Sequence, residues 1–223
     1  MSAAPSLETH AGLMDRVYRP QRHIYDLTRK YYLLGRDRLI AGLALEPGSS
    51  LIEVGCGTGR NLIAIARRYP QARLYGLDAS QAMLGIARTK IGAAGLEDRI
   101  VLRQGLAEEL SASQFGRESF DHVLFSYCLS MVPDWQGALF AAGKTLSESG
   151  HWHVVDFADL KGLGGFAGKA LLSWLELFHV TPRTEFLVSL ERVSPRMGQL
   201  TLLKGRYAFI FRSAPGTIWR VPS

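Results

Sequence analysis

Three glycines at alternate positions, Gly55, Gly57 and Gly59, follow a short apolar run at 51–54. Glycines in this pattern let the backbone turn tightly and let a ligand approach the main chain without a Cβ in the way. Glu53 lies two residues before the first glycine, where its carboxylate would repel the pyrophosphate of a dinucleotide and attract a cation. S-adenosylmethionine carries an ammonium group and a sulfonium, so the motif favours a methyl donor over a dinucleotide. A plain structural turn is the alternative.

A second acidic side chain, Asp78, ends another short apolar run and lies 19 residues after Gly59. An acid at about this distance from a glycine turn is placed to accept hydrogen bonds from ribose hydroxyls. The alternative is that Asp78 caps the helix predicted over 81–91, a role that Ser80 could equally fill. The two roles can coexist.

The elements that position these residues alternate between strand and helix. Two further runs, 200–204 and 207–211 around Gly205, predict an antiparallel pair at one edge of the sheet. The sequence therefore predicts an α/β fold with a doubly wound, mostly parallel, seven-stranded Rossmann-like sheet. The runs that predict its parallel strands are 51–54, 74–78, 100–104, 120–127 and 152–157, with a helix over 61–69 after the glycine turn.

One domain is predicted over residues 1–223, in three parts: an N-terminal helical cap (1–44), a cofactor-binding core (45–160), and a C-terminal part (161–223). The C-terminal part begins with a glycine-rich approach to a very apolar helical segment at 160–178. Such a helix is buried as ordinary core, covers a hydrophobic substrate, or lies in a membrane interface. Its position after the fifth strand favours a mobile cap over the site.

Composition narrows the class of protein. The chain has 47% hydrophobic and 21% charged residues, as ordinary globular domains do. Its two cysteines offer neither a disulfide framework nor metal-ligand spacing, so no metal is predicted and a cytoplasmic location fits. The net charge is +6, and the excess lies at the two ends, 15–38 and 181–223. Basic ends suit an anionic membrane face or nucleic acid, or are simply soluble surface.

The strand ends, taken as a set, resemble those of the class I S-adenosylmethionine-dependent methyltransferases. The matching stretches are LIEVGCGTG at 51–59, LYGLD at 74–78, FDHVLFSY at 120–127 and SGHWHVVDF at 149–157, which cover roughly residues 45–160. The resemblance implies S-adenosylmethionine as cofactor and S-adenosylhomocysteine as product. Leu106 is a departure, because these enzymes often have an acid or amide at that position for the adenine amino group.

The resemblance assigns the cofactor contacts residue by residue. It implies that the glycine turn surrounds the methionine part, that Asp78 binds the ribose, and that Ala79 and Met83 flank the adenine. The loop at 105–107 should border the adenine from the other side. The full cofactor set is Glu53, Gly55, Cys56, Gly57, Gly59, Asp78, Ala79, Met83, Gly105, Leu106, Ala107 and Tyr127.

A narrower resemblance extends over nearly the whole chain. RHIYDLTRKYYLLGRDRLI at 22–40, SYCLSMVPDW at 126–135 and LELFHVTPR at 175–183 are similar to the bacterial betaine-lipid N-methyltransferases. Those enzymes methylate the amino group of diacylglyceryl-homoserine three times. The resemblance therefore implies a membrane-lipid acceptor and peripheral association with the inner membrane face. It leaves the oligomeric state open.

The acceptor side of the site is predicted from residue chemistry. Aromatic faces accommodate a quaternary ammonium product by cation–π attraction, and the N-terminal tyrosines supply them if their helix folds over the site; core packing is the alternative. His153 is a candidate base, although histidines in so apolar a strand are more often structural. The catalytic candidates are Tyr25, Tyr31, Tyr32 and His153, and the substrate candidates are Tyr25, Arg29, Tyr32, Ser130, Trp174 and Phe178, with Arg36 a further candidate for a carboxylate partner.

Three other functions compete with lipid methylation. A methyltransferase for another lipophilic or soluble small molecule would share the core and differ in the pocket. A nucleic-acid methyltransferase is disfavoured, because 126–130 lacks the Pro-Pro-aromatic motif of base amino-methylating enzymes, and no nucleic-acid partner is predicted. The third is a dehydrogenase or a cofactor-binding module without catalysis; Glu53 disfavours the dehydrogenase, and the complete set of strand ends disfavours a purely binding role.

Overall fold

The computed structural model describes residues 33–176 and 180–217. Several predicted acceptor residues lie outside these ranges, and their predicted roles stay predictions. They are Tyr25, Arg29, Tyr31, Tyr32 and Phe178.

A single seven-stranded sheet forms the centre of the described chain. Its strands are β1 (Ser50–Val54), β2 (Arg73–Asp78), β3 (Ile100–Gln104), β4 (Phe120–Ser126), β5 (Leu146–Phe157), β6 (Gly198–Leu203) and β7 (Ala208–Ser213). They lie in the order β3-β2-β1-β4-β5-β7-β6. Strands β1 to β5 are parallel, and β7 pairs antiparallel with both β5 and β6. This confirms the predicted Rossmann-like fold and its antiparallel edge pair.

The strand order reverses at β1, which lies between β2 and β4. In an open parallel sheet a ligand binds beyond the carboxyl ends of the strands at such a reversal. Every residue of β1 is buried, as expected for a central parallel strand covered on both faces. The glycine turn that follows β1 is therefore at the place where the topology puts a ligand.

Helices connect the strands. The described α-helices are α1 (Arg36–Ala41), α2 (Arg60–Arg68), α3 (Gln81–Ala93), α4 (Trp135–Thr145), α5 (Gly165–Glu176) and α6 (Thr184–Met197). Ser80 caps the N-terminus of α3, since its side chain accepts a hydrogen bond from the Met83 amide. Asp134 caps α4 in the same way, through the Gly137 amide.

Several element boundaries differ from the sequence prediction, and those of β4 and β5 bear on the site and the sheet. Strand β4 ends at Ser126, because Tyr127 takes a left-handed backbone conformation, with φ of 54°. Strand β5 begins at Leu146, six residues before the predicted start at Trp152. The extra residues include Glu148, Ser149 and Gly150, which break the apolar run in the sequence without ending the strand.

The apolar segment after β5 is a helix, α5, as predicted. Leu175 is fully buried, and Leu171 and Leu172 pack half-buried against the core that contains Tyr127 and Phe157. Trp174 is 37% exposed. Helix α5 is therefore packed on one side and leaves an aromatic side chain at the surface. No described helix is long and apolar enough to cross a membrane.

Three histidines meet on the sheet between β4 and β5. The His122 Nδ1 lies 3.0 Å from the His153 Nε2, and the His122 ring stacks on His151 with centroids 5.3 Å apart. Both members of the bonded pair are buried. Burial lowers the pKa of His122 to about 4, and burial also lowers the pKa of His153 well below its usual value. This pair is neutral at pH 7.

The neutral pair makes stability depend on pH. The folded-state pKa of each histidine lies below its unfolded value of about 6.5, so the unfolded chain takes up protons first as the pH falls. We expect the free energy of unfolding to fall between pH 6.5 and 4, with a slope approaching roughly 3 kcal/mol per pH unit for two protons. Urea unfolding at a series of pH values measures this slope.

The matched variants are His122→Leu with His153→Leu, which remove both bonding partners together, and His151→Gln as the control. The double variant should flatten the slope, and the control should keep it. An unchanged slope in the double variant would place the acid sensitivity elsewhere in the chain.

Candidate functional site

The turn after β1 is held open by its glycines. Gly55, Gly57 and Gly59 all have left-handed backbones, with φ of 72°, 53° and 72°. A Cβ at Gly55 would lie 2.5 Å from the Cys128 Sγ, and a Cβ at Gly59 would lie 3.2 Å from the Ala87 Cβ on α3. A Cβ at Gly57 would meet no atom within 4 Å. Two of the glycines therefore allow close packing, and the middle one borders free space.

Asp78 joins the end of β2 to this turn. Its Oδ2 accepts a hydrogen bond from the Gly57 amide at 2.7 Å, and its Oδ1 accepts one from the Ser80 amide at 2.9 Å. A carboxylate can accept about four hydrogen bonds in all, so Asp78 is chemically suited to accept from a ligand hydroxyl as well. Since Ser80 caps α3, the capping role that the sequence left open belongs to Ser80, and Asp78 stabilises the turn.

Glu53 lies at the opposite side of the turn, 1% exposed, at the end of β1. Its Oε1 accepts a hydrogen bond from the Asn61 Nδ2 at 2.7 Å. Arg36 and Arg60 line the same small cavity as Glu53. One buried carboxylate beside two guanidinium groups can bind a ligand that carries both an ammonium and a carboxylate group. From the sequence, Arg36 was predicted only as a carboxylate partner, and Asn61 was not predicted as a site residue.

A larger cavity opens between the ends of β1, β2 and β4. It shares Gly55 and Gly57 with the smaller cavity, so the two form one continuous site along the turn. Its lining is Val54, Gly55, Gly57, Leu77, Asp78, Ala79, Met83, Gly105, Leu106, Ala107, Glu108, Tyr127, Cys128, Met131 and Val132.

Tyr127 bridges the cavity and the first described residues. Its Oη donates a 2.6 Å hydrogen bond to the Leu34 carbonyl, and its ring packs edge-on against Phe157. A left-handed backbone at a bulky residue costs on the order of 1–3 kcal/mol and marks a functional position more often than a neutral one. Burial raises the pKa of the Tyr127 hydroxyl well above its usual value, so the hydroxyl stays a donor.

A buried carboxylate, Asp156, lies near the end of β5 behind the cavity wall. Its Oδ2 accepts a hydrogen bond from the Ser130 amide at 3.1 Å, and its Oδ1 accepts one from the Phe157 amide at 2.8 Å. Burial raises the pKa of Asp156 to about 6, although these hydrogen bonds oppose the shift. The group is ionised at pH 7 and fixes the backbone of Ser130.

The structure brings most of the predicted cofactor residues together. Gly59 caps the N-terminus of α2. Glu53 and Cys56 line the smaller cavity, which also contains Arg36, Arg60 and Asn61 in its lining and which we call the methionine-side cavity after the predicted cofactor part. Burial, reinforced by Asp78 and Glu53, raises the pKa of the Cys56 thiol well above its usual value. The predicted residues that line the larger cavity are Gly55, Gly57, Asp78, Ala79, Met83, Gly105, Leu106, Ala107 and Tyr127.

The predicted acceptor residues are more scattered. Ser130 is buried and contributes backbone groups, while its neighbours Met131 and Val132 line the cavity. His153 is bonded to His122 and is not among the described residues that line either cavity, which favours its structural role. Sequence reasoning missed Val132 as a wall residue, since an apolar side chain in a loop gives no chemical signal.

The residues present fit S-adenosylmethionine. The Ser126 Oγ and the Asn61 Oδ1 are buried polar atoms without a hydrogen-bond partner among the described residues, and both residues line the methionine-side cavity. Free space lies beside Gly57, and Asp78 can accept from a ribose. The apolar side chains of Ala79, Met83 and Leu106 suit a flat ring.

Comparison with known proteins agrees with this geometry. Residues 51–150 match a family described as "Methyltransferase domain". A methyltransferase named ungE' from Aspergillus campestris is 32% identical over 111 residues, 50% of this chain and 31% of its own length. A demethylmenaquinone methyltransferase from Bacillus cytotoxicus is 35% identical over 107 residues, 48% of this chain and 44% of its own length. The chain thus spans under half the length of these two relatives.

Solved structures share the fold. A crystal structure of an S-adenosylmethionine-dependent methyltransferase from Aquifex aeolicus superposes with a TM-score of 0.63 at 15% identity, covering 85% of this chain and 93% of that one. At this identity the likeness concerns the fold. Residues 51–150 thus match a methyltransferase domain, and the sheet has the Rossmann-like fold of S-adenosylmethionine-dependent methyltransferases, with S-adenosylmethionine as the cofactor.

Proposed function

We propose that the protein is an N-methyltransferase that methylates the amino group of diacylglyceryl-homoserine three times and gives the betaine lipid diacylglyceryl-trimethylhomoserine. The observation that carries a lipid acceptor is the attachment of the apolar helix α5 to the cavity wall. The Thr181 amide, in the segment after α5, donates a 2.8 Å hydrogen bond to the Ser130 carbonyl. Ser130 is adjacent to Met131, which lines the cavity.

The cavity chemistry suits an amine acceptor. Bound S-adenosylmethionine supplies an electrophilic methyl group, so the protein has to position a neutral amine opposite it. The acceptor side of the cavity is apolar, with Met131 and Val132 in its lining. Apolar surroundings lower the pKa of an amine and favour its neutral, nucleophilic form, so a dedicated base is not needed. Tyr127 is the aromatic residue in the described lining and supplies a face for the quaternary product.

A second lipophilic acceptor has support from the comparisons. The Bacillus cytotoxicus relative is named for demethylmenaquinone, a lipophilic quinone. An apolar wall and a partly exposed apolar helix serve either acceptor. The buried Glu53 and the adjacent Arg36 do not separate them, since both belong to the cofactor side of the turn.

Asp78 tests the cofactor part of the proposal. We expect Asp78→Ala to raise the dissociation constant for S-adenosylmethionine by about 10- to 100-fold, because a hydrogen bond to a charged group contributes roughly 1.5–3 kcal/mol. Isothermal titration calorimetry measures the change. The control is Asp98→Ala, an exposed acid in the turn before β3, which should bind as the parent does. Unchanged affinity in Asp78→Ala would rule out the ribose role.

The acceptor is tested by labelled-methyl transfer. Purified protein, S-adenosylmethionine and diacylglyceryl-homoserine in mixed micelles should yield mono-, di- and trimethylated lipid by mass spectrometry. Free homoserine, a demethylmenaquinone and RNA serve as parallel acceptors. Methylated quinone in place of methylated lipid would select the second acceptor. Loss of all lipid product with cofactor binding intact would discard the betaine-lipid proposal and keep the domain assignment.

A basic groove on the surface supports association with an anionic membrane. Residues 60–90 carry six basic groups and one acid, Asp78. The groove lies between α2 and α3 and combines Arg60, Arg67 and Lys90 with the apolar Ile63 and alanines. Arg60 also lines the methionine-side cavity, so the groove adjoins the site. Lys and Arg near an anionic leaflet each contribute about 1 kcal/mol of binding.

Charge reversal in the groove tests this association. Arg67→Glu with Lys90→Glu should weaken binding to vesicles that contain phosphatidylglycerol by about 10-fold or more, since two attractions become repulsions. The control, Arg103→Glu with Lys144→Glu, makes the same charge change at two exposed positions outside the groove. Sedimentation with neutral and anionic vesicles measures the difference. Equal loss in both double variants would indicate net charge rather than this groove.

A further inference from the structure

The loop after β4, residues 128–132, is the part of the cavity wall that faces the acceptor in the proposed reaction. Cys128, Met131 and Val132 line the cavity, and Leu129 and Ser130 are buried beneath them. A loop that lines a cavity and is not a helix or strand needs other partners for its backbone groups. Those partners come from outside the loop.

The loop carbonyls are bound mainly by one side chain. Arg183, immediately before α6, donates from its Nε to the Leu129 carbonyl at 3.0 Å and from its Nη2 to the Val132 carbonyl at 2.7 Å. The planar guanidinium is well suited to bridge two acceptors in a fixed geometry, which a lysine ammonium does not reproduce. Two residues earlier, the Thr181 amide donates to the Ser130 carbonyl at 2.8 Å.

The loop amides are bound from the other side. The Ser130 amide donates to Asp156 on β5, while the Met131 and Val132 amides donate to the Cys128 carbonyl within the loop. The loop is thus fastened to β5 on one side and to residues 181–183 on the other. Burial lowers the pKa of Arg183, while the carboxylates of Asp156 and Glu185 raise it. The Arg183 guanidinium stays charged, as arginine does in proteins.

The same residues connect the loop to the apolar helix. The Val180 amide donates to the Leu175 carbonyl at the end of α5, and Thr181 and Arg183 follow at once. Met131 also packs against the core cluster that contains Leu175 of α5, as Leu171 and Leu172 do. A shift of α5 therefore acts on the 128–132 loop through the backbone and through shared packing.

We propose that Arg183 is a positioning residue for the acceptor: it holds the 128–132 loop against Asp156 and couples the position of α5 to the acceptor side of the cavity. This inference rests on the proposed methyl transfer for its kinetic consequence, and its structural part stands without it. It assigns Arg183 to the acceptor side, because none of the predicted cofactor residues lies in the 128–132 loop.

The test compares Arg183→Ala and Arg183→Lys with the exposed control Arg192→Ala on the same helix. In the labelled-methyl assay, Arg183→Ala should lower kcat/KM for the acceptor by about 10- to 100-fold, as displaced reacting groups do. This loss should appear as a higher KM for the acceptor, with the dissociation constant for S-adenosylmethionine within about twofold of the parent value. Arg183→Lys should recover only part of the loss.

A second readout needs no acceptor. Cys128 belongs to the loop and Cys56 belongs to the glycine turn, and both thiols are buried and outside any disulfide. Thiol labelling followed by peptide mass spectrometry should show faster modification of Cys128 in Arg183→Ala, at least about tenfold, with Cys56 unchanged and the control at the parent rate.

The outcomes separate the two proposals. If the parent protein methylates no acceptor, the proposed function fails, while Cys128 labelling still decides whether Arg183 holds the loop. Parent rates of Cys128 labelling in Arg183→Ala overturn the inference. Equal acceleration of Cys56 and Cys128, with loss of cofactor binding, also overturns it, because Arg183 would then support the whole fold.

Discussion

One short hydrogen bond, from the Gly57 amide to the Asp78 carboxylate, joins the ends of β1 and β2 where the strand order reverses. The other site features depend on this junction. It fixes the glycine turn and lies at the shared boundary of the two cavities. A parallel sheet brings strand ends to one edge, and a carboxylate that binds a backbone amide orients that edge for a ligand.

The two sides of the site are built by different means. The predicted cofactor side consists mainly of backbone groups and side chains at or just after strand ends. The proposed acceptor side consists of a loop, 128–132, whose backbone is bonded by Arg183 and Asp156 from distant parts of the chain. Loops held by side chains vary more readily than strand ends, so one fold can retain its cofactor and change its acceptor.

Buried polar groups are concentrated in two places with different consequences. Asp156 is an ionised carboxylate whose burial is offset by two backbone amides, and it serves the cavity wall. The pair of His122 and His153 is neutral, lies in the sheet, and limits stability in acid. Buried groups of either kind lower stability unless they are bonded, and their placement shows which part of the molecule needs a fixed backbone.

The sequence by itself determined the sheet, the glycine turn and the acid at the end of β2, because alternating elements and local backbone chemistry are written in consecutive residues. It also indicated that Ser80 could cap α3 in place of Asp78. Only the tertiary structure decided how the 128–132 loop is held, since Arg183 lies more than fifty residues from the carbonyls of Leu129 and Val132 that it binds. The tertiary structure also decided the longer β5 and the contact between His122 and His153, because cross-strand pairing joins residues that no local pattern connects.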